Sequence, residues 1–143
     1  MTEANILLVD DDNVFIDLTT KRLSSRNMEV FHAASCDEAM QKLAVHGEIE
    51  VVILDVKIPG QNEMEVLQII KQHHPLVEVI MLTGHATVER AIDGMRLGAS
   101  DYLMKPCGIE TLMEKVKEAV EKKRLQEEKI VDARVREIAS RRG

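Results

Sequence analysis

The 143 residues suit one domain with one core; at 45% apolar they are too hydrophobic for a disordered chain, yet no apolar run reaches the roughly 18–20 residues that cross a bilayer. Residues 1–122 carry 12 basic and 21 acidic side chains, a charge of −9, and residues 123–143 carry 7 and 4, a charge of +3; the acidic body argues against direct nucleic-acid binding. Two cysteines, Cys36 and Cys107, make no disulfide framework, and no basic segment precedes the first apolar run as in a secretory signal, so a cytoplasmic protein with no membrane attachment is expected.

Ile6–Val9 is a short apolar run. A weakly amphipathic stretch follows, with Val14 and Leu18 one turn apart and Ile16 and Leu23 two turns apart. Asp12 is suited to cap that helix. Val30–Ala33 reads as a second strand, and Ser35 with Glu38 forms a capping box before Cys36, Ala39, Met40 and Leu43 at helical spacing, with Gly47 as a stop. Val51–Leu54 is a third strand, Pro59 and Gly60 mark a loop, and Met64, Leu67 and Ile70 repeat at helical spacing up to Pro75. Val77–Leu82 is a fourth strand. Thr87 caps a helix with Val88, Ala91, Ile92 and Met95 on its apolar face, closed by Gly98. Tyr102–Met104 is a fifth strand, and from Gly108 a last helix places Ile109, Leu112, Met113, Val116 and Val120 on one side.

Five β-α repeats with nearly all-apolar central strands imply a doubly wound α/β domain with a parallel sheet covered on both faces. The domain is expected over residues 1–122. Residues 123–143 form a charged helical extension with a thin stripe of Ile130, Val131, Val135 and Ile138.

In such sheets, sites form beyond the carboxyl ends of the strands. The residues there are Asp10, Asp11 and Asp12 after the first strand, Asp55 after the third, Thr83 after the fourth and Lys105 with Pro106 after the fifth. Neighbouring carboxylates repel by about 4 kcal/mol at 4 Å and an effective dielectric near 20. A hard divalent cation relieves this, and Mg²⁺ typically takes one or two carboxylates plus a phosphate. With a lysine to neutralise charge and a hydroxyl to donate a hydrogen bond, the set suits phosphoryl transfer to a carboxylate.

The segments VDDD (9–12), LDVKIPG (54–60), LTGHA (82–86) and GASDYLMKP (98–106) make the chain resemble a response-regulator receiver domain of bacterial two-component signalling, from about Ile6 to about Val120. The second and third segments are most similar to receivers of enhancer-type, NtrC-like activators. The resemblance implies a flavodoxin-like five-stranded sheet of order 2-1-3-4-5, the strand order characteristic of that family. It implies Asp55 as phosphoacceptor, Asp10 and Asp11 with Asp55 and the Lys57 backbone carbonyl as Mg²⁺ ligands, Thr83 as switch hydroxyl, Lys105 before a cis Pro106, and Tyr102 as aromatic switch. The expected donor is a sensor histidine kinase or phosphotransfer protein. The expected output is a changed surface of helix 4, strand 5 and helix 5, read by an unknown downstream protein or by a second copy in a homodimer. No ATPase or DNA-binding segment lies within these residues, so that output is not carried over.

Glu63 departs from the pattern, standing where the family usually has glycine, and places the loop geometry in question. Lys57 and His85 follow Asp55 and Thr83 by two residues, where they could screen an acyl phosphate from water. Cys107 is expected to be an ordinary thiol. Two competing readings stay open: a haloacid-dehalogenase-type phosphatase with Asp10 as nucleophile and Asp12 as second acid, and an interaction module that turns over no phosphate.

Overall fold

The computed structural model describes residues 3–55, 62–84 and 87–141. Strands β1 (Ala4–Val9), β2 (Met28–Ala33), β3 (Val51–Leu54), β4 (Glu78–Thr83) and β5 (Asp101–Met104) alternate with helices α1 (Asn13–Ser24), α2 (Cys36–Val45), α3 (Glu63–His73), α4 (Val88–Arg96) and α5 (Ile109–Arg141). Every pairing is parallel and the sheet order is β2-β1-β3-β4-β5, as the resemblance implies. Pro59 and Gly60, read as a loop, lie outside the described residues.

The period-two alternation of strand side chains divides the core. Leu7, Val9, Val52, Leu54, Val79 and Met81 pack on one face of the sheet against Ala39 and Leu43 of α2 and Val66, Leu67 and Ile70 of α3. Ile6, Leu8, Val51, Ile53, Ile80 and Leu82 pack on the other against Leu23 of α1 and Leu112, Met113, Val116 and Val120 of α5. Both faces being covered is why β1, β3 and β4 are apolar at nearly every position.

Local signals set the helix starts. The Asp12 carboxylate accepts from the amides of Val14 and Phe15, Ser35 Oγ from Glu38, and Thr87 Oγ1 from Arg90. Glu38 returns its carboxylate to the amide of Ala34, one residue before the position a capping box prescribes. Of the two stripes on α1, Ile16 and Leu23 are buried, while Val14 and Leu18 face solvent.

α4 differs from expectation. Its apolar residues Val88, Ile92 and Met95 are exposed, Val88 to 78%, and the buried position is Gly94. A Cβ at Gly94 would lie 3.2 Å from Tyr102 Cδ2, so the missing side chain lets α4 sit directly on the Tyr102 ring. The extension continues α5 as one helix, with Leu125, Ile130, Val131, Val135 and Ile138 exposed. At the amino edge of the sheet, Arg124 of α5 pairs with the buried Glu50 at 3.0 Å. Among the described residues no helix is long and apolar enough to cross a membrane.

Gly98 follows α4 with φ +103°, a left-handed conformation that costs a side chain about 1–2 kcal/mol. Gly98→Ala is therefore expected to lose about that much stability in urea unfolding, whereas Gly47→Ala, with open space around the added methyl, is expected to lose none.

Candidate functional site

Sheet register assembles the site. Val9 is level with Leu54, and the Asp55 amide donates to the Val9 carbonyl at 2.8 Å, so Asp10 and Asp55 leave adjacent strands side by side. Thr83 is level with Met104, and the Lys105 amide donates to the Thr83 carbonyl at 2.8 Å. Parity then aims the side chains: Asp10 continues the row of Leu8, Asp55 that of Ile53 and Lys105 that of Leu103, all towards the face covered by α1 and α5.

The three groups meet there. Lys105 Nζ lies 2.7 Å from Asp10 Oδ2 and 2.8 Å from Asp55 Oδ2, and 3.8 Å from the centroid of the Phe15 ring. Both aspartates are only 3% exposed. Burial pulls the Lys105 ammonium down, but hydrogen bonds to Asp10 and Asp55 and the charges of both outweigh it, and its pKa stands above the ordinary lysine value. The bridge's contribution to stability is thus complete below the ordinary lysine range and is lost only as pH climbs through the raised value. Burial pushes the Asp10 carboxyl above its ordinary value; the Lys105 ammonium and the Asp12 amide pull it down, and the Asp55 charge adds to the rise.

Asp55 Oδ1 is buried and meets no donor among the described residues, while Oδ2 is held by Lys105. An unpartnered buried carboxylate oxygen is costly. The two buried carboxylates share one ammonium and so keep net negative charge, which fits a hard cation with oxygen ligands. Asp11 is exposed at the rim, and no cluster of three metal-ligating carboxylates, imidazoles or thiolates forms among the described residues. Mg²⁺, which retains waters and needs one or two carboxylates, is compatible with that sparse set.

Thr83 is buried at the end of β4. Tyr102 is half-buried on the opposite face of the sheet, packed with the cluster that α2 and α3 cover. The Lys105–Pro106 bond is cis. Lys57 and His85 lie outside the described residues. Burial raises the Cys107 thiol, in keeping with an ordinary thiol. Phe15, beneath the lysine, is not legible in the sequence as a site residue: the visible stripe on α1 runs through Ile16 and Leu23. Glu63 is the first residue of α3 behind the cap Asn62, and it is buried against Tyr102 and Arg90. Its departure from the family pattern is visible in the chain, its partners are not.

The family model for the response regulator receiver domain matches residues 6–117. The chain belongs to the response regulator receiver family. A putative NtrX-like response regulator of Rickettsia felis is 32% identical over 132 residues, covering 91% of this receiver and 28% of that protein. The crystal structure of NtrX from Brucella abortus aligns with a TM-score of 0.81 at 32% identity, over 92% of this receiver and 30% of that chain. A receiver domain from Clostridium thermocellum aligns with a TM-score of 0.80 at 34% identity, over 86% and 98% of the two chains. The receiver spans less than a third of the length of these NtrX proteins. Nothing in these likenesses supports the phosphatase reading, and Asp12, its second acid, is occupied as the cap of α1.

Because Asp10 ionises against its burial, Asp10→Asn is expected to raise the urea midpoint at pH 7. The gain should close as pH falls through the raised Asp10 value towards the ordinary one, where the carboxyl is protonated in both states. A less stable Asn variant at pH 7 would show that the bridge to Lys105 outweighs the burial.

Proposed function

We propose that this receiver accepts a phosphoryl group on Asp55 from the phosphohistidine of a sensor kinase or phosphotransfer protein, in a Mg²⁺-dependent reaction that it catalyses on itself. The observation that carries the reading is the division of labour within one carboxylate: Lys105 holds Asp55 Oδ2, and Oδ1 stands buried with no donor among the described residues.

Asp10, Asp11, Asp55 and the Lys57 carbonyl are the residues to hold Mg²⁺, which when bound offsets the charge of the carboxylates and of the phosphoryl oxygens. The chain's own groups do the rest. The register of β1 and β3 fixes Asp55 against the sheet, so the attacking oxygen needs no reorganisation. Lys105, already bridging both carboxylates, is close enough to neutralise charge on the incoming group. Phe15 beneath its ammonium limits where that ammonium can move. The Thr83 hydroxyl, at the end of the neighbouring strand, is the group to donate to a phosphoryl oxygen. Such chemistry is mostly positioning and electrostatics.

Output in this reading passes through α4, β5 and α5. The exposed Val88, Ile92 and Met95 of α4 and Met104 of β5 give that surface apolar side chains for a downstream protein or a second copy. Residues 1–122 form the switch and 123–143 an extension. The acidic body favours protein partners over direct nucleic-acid contact, and a cytoplasmic setting suits a kinase-fed switch.

Acetyl phosphate with Mg²⁺ is expected to place a phosphoryl adduct on the peptide bearing Asp55, detected by mass spectrometry and abolished by EDTA or by Asp55→Asn. Lys105→Met is expected to slow labelling by about 10²-fold or more, the scale of losing one preorganised charge. An adduct on Asp10 instead would sink the proposal.

A further inference from the structure

We infer that Glu63 is a positioning residue: its carboxylate latches Tyr102 in the inward position and ties the start of α3 to α4 through Arg90. The inference rests on the receiver reading above, and it assigns a role to the residue by which this chain departs from the family pattern.

A carboxylate in the first turn of a helix is favoured by the exposed amides and needs no burial to gain that benefit. Glu65, in the same turn, is exposed. Glu63 is buried, which costs free energy unless partners compensate. Its partners come from two other elements. The Tyr102 hydroxyl donates to Glu63 Oε1 at 3.3 Å, and Arg90 Nη1 of α4 lies 3.6 Å from the same oxygen. The Tyr102 ring reaches this place through the notch at Gly94, where a Cβ would stand 3.2 Å from its Cδ2 and 3.7 Å from Met64 Cε.

Among the described residues, the charged groups around the phenol are Glu63, Arg90 and Asp55. Burial pushes the Tyr102 phenol up to about 12, the charge and hydrogen bond of Glu63 add to it, Arg90 opposes, and the Asp55 charge contributes last. Tyr102 packs against the cluster that α2 and α3 cover, with its hydroxyl on Glu63. Glu63 thus biases the switch towards the inward arrangement before phosphorylation, and phosphorylation has less of the equilibrium left to move. Reciprocity requires that a latch favouring the phosphorylated arrangement also tightens binding of a phosphoryl mimic by the same factor.

Tyr102 is the single tyrosine and the chain has no tryptophan, so tyrosine absorbance and emission report this residue alone. In the full chain, the phenolate absorbance of the wild type is expected to rise near 12, and that of Glu63→Gln to move down towards the ordinary tyrosine value of about 10. At pH 7, loss of the phenol–carboxylate hydrogen bond should raise the tyrosine emission of Glu63→Gln. Unchanged emission and an unchanged phenolate onset, with circular dichroism showing both proteins folded, would overturn the latch. Affinity for beryllofluoride with Mg²⁺ is expected to weaken by about threefold to tenfold in Glu63→Gln, and in the same direction in Gly94→Ala, which crowds the inward ring. Equal or tighter affinity in Glu63→Gln would overturn the bias. If the wild type binds no beryllofluoride, the receiver reading fails, while the tyrosine signals still decide whether Glu63 holds Tyr102.

Discussion

One ammonium between two buried carboxylates is the constraint from which the site follows. β1 and β3 are neighbours, so Asp10 and Asp55 emerge side by side, and two carboxylates about 4 Å apart repel by about 4 kcal/mol at an effective dielectric near 20. Lys105 offsets it with bonds of 2.7 and 2.8 Å, which requires β5 to end level with β4 and to send its next residue across the sheet. The lysine is provided from an edge strand, two positions from β3 in the sheet. The geometry that tolerates two buried acids is therefore a property of the whole sheet.

The sheet also separates two sets of polar contacts by parity. Asp10, Asp55 and Lys105 continue the rows that face α1 and α5, where Phe15 lies under the ammonium. Tyr102 continues the row that faces α2 and α3, where Glu63 and Arg90 meet its hydroxyl. The Asp10–Lys105–Asp55 bridge and the Tyr102 ring are thus on opposite faces of one layer. Thr83, buried at the end of β4, continues the row of Val79 and Met81, and its carbonyl accepts from the Lys105 amide.

The parts of this arrangement differ in how visible they are in the chain. β3 spans Val51–Leu54 as its β-branched run indicates, and the other strands differ from their apolar runs by one or two residues. Asp12, Ser35 and Thr87 cap helices where their short side chains can reach free amides, an effect confined to three or four residues. The apolar spacing on α4 is legible, its direction is not: periodicity shows that one side of a helix is apolar, and only packing shows whether that side meets the core. Gly94 decides it by letting β5 approach the other side. Phe15 and Arg90 escape notice for a related reason, since each acquires its role from a residue dozens of positions away.

The sequence by itself determined the alternation of elements, the caps, and which polar residues stand at the strand ends, because these depend on neighbours within a few residues and on side-chain period. Tertiary structure alone decided which carboxylate oxygen Lys105 holds and which stands without a donor among the described residues, that Asp11 is exposed while Asp10 is buried, and that Glu63 meets Tyr102 and Arg90. Those facts depend on distances between segments far apart in the chain. They are set by strand register and helix packing, which no local pattern encodes.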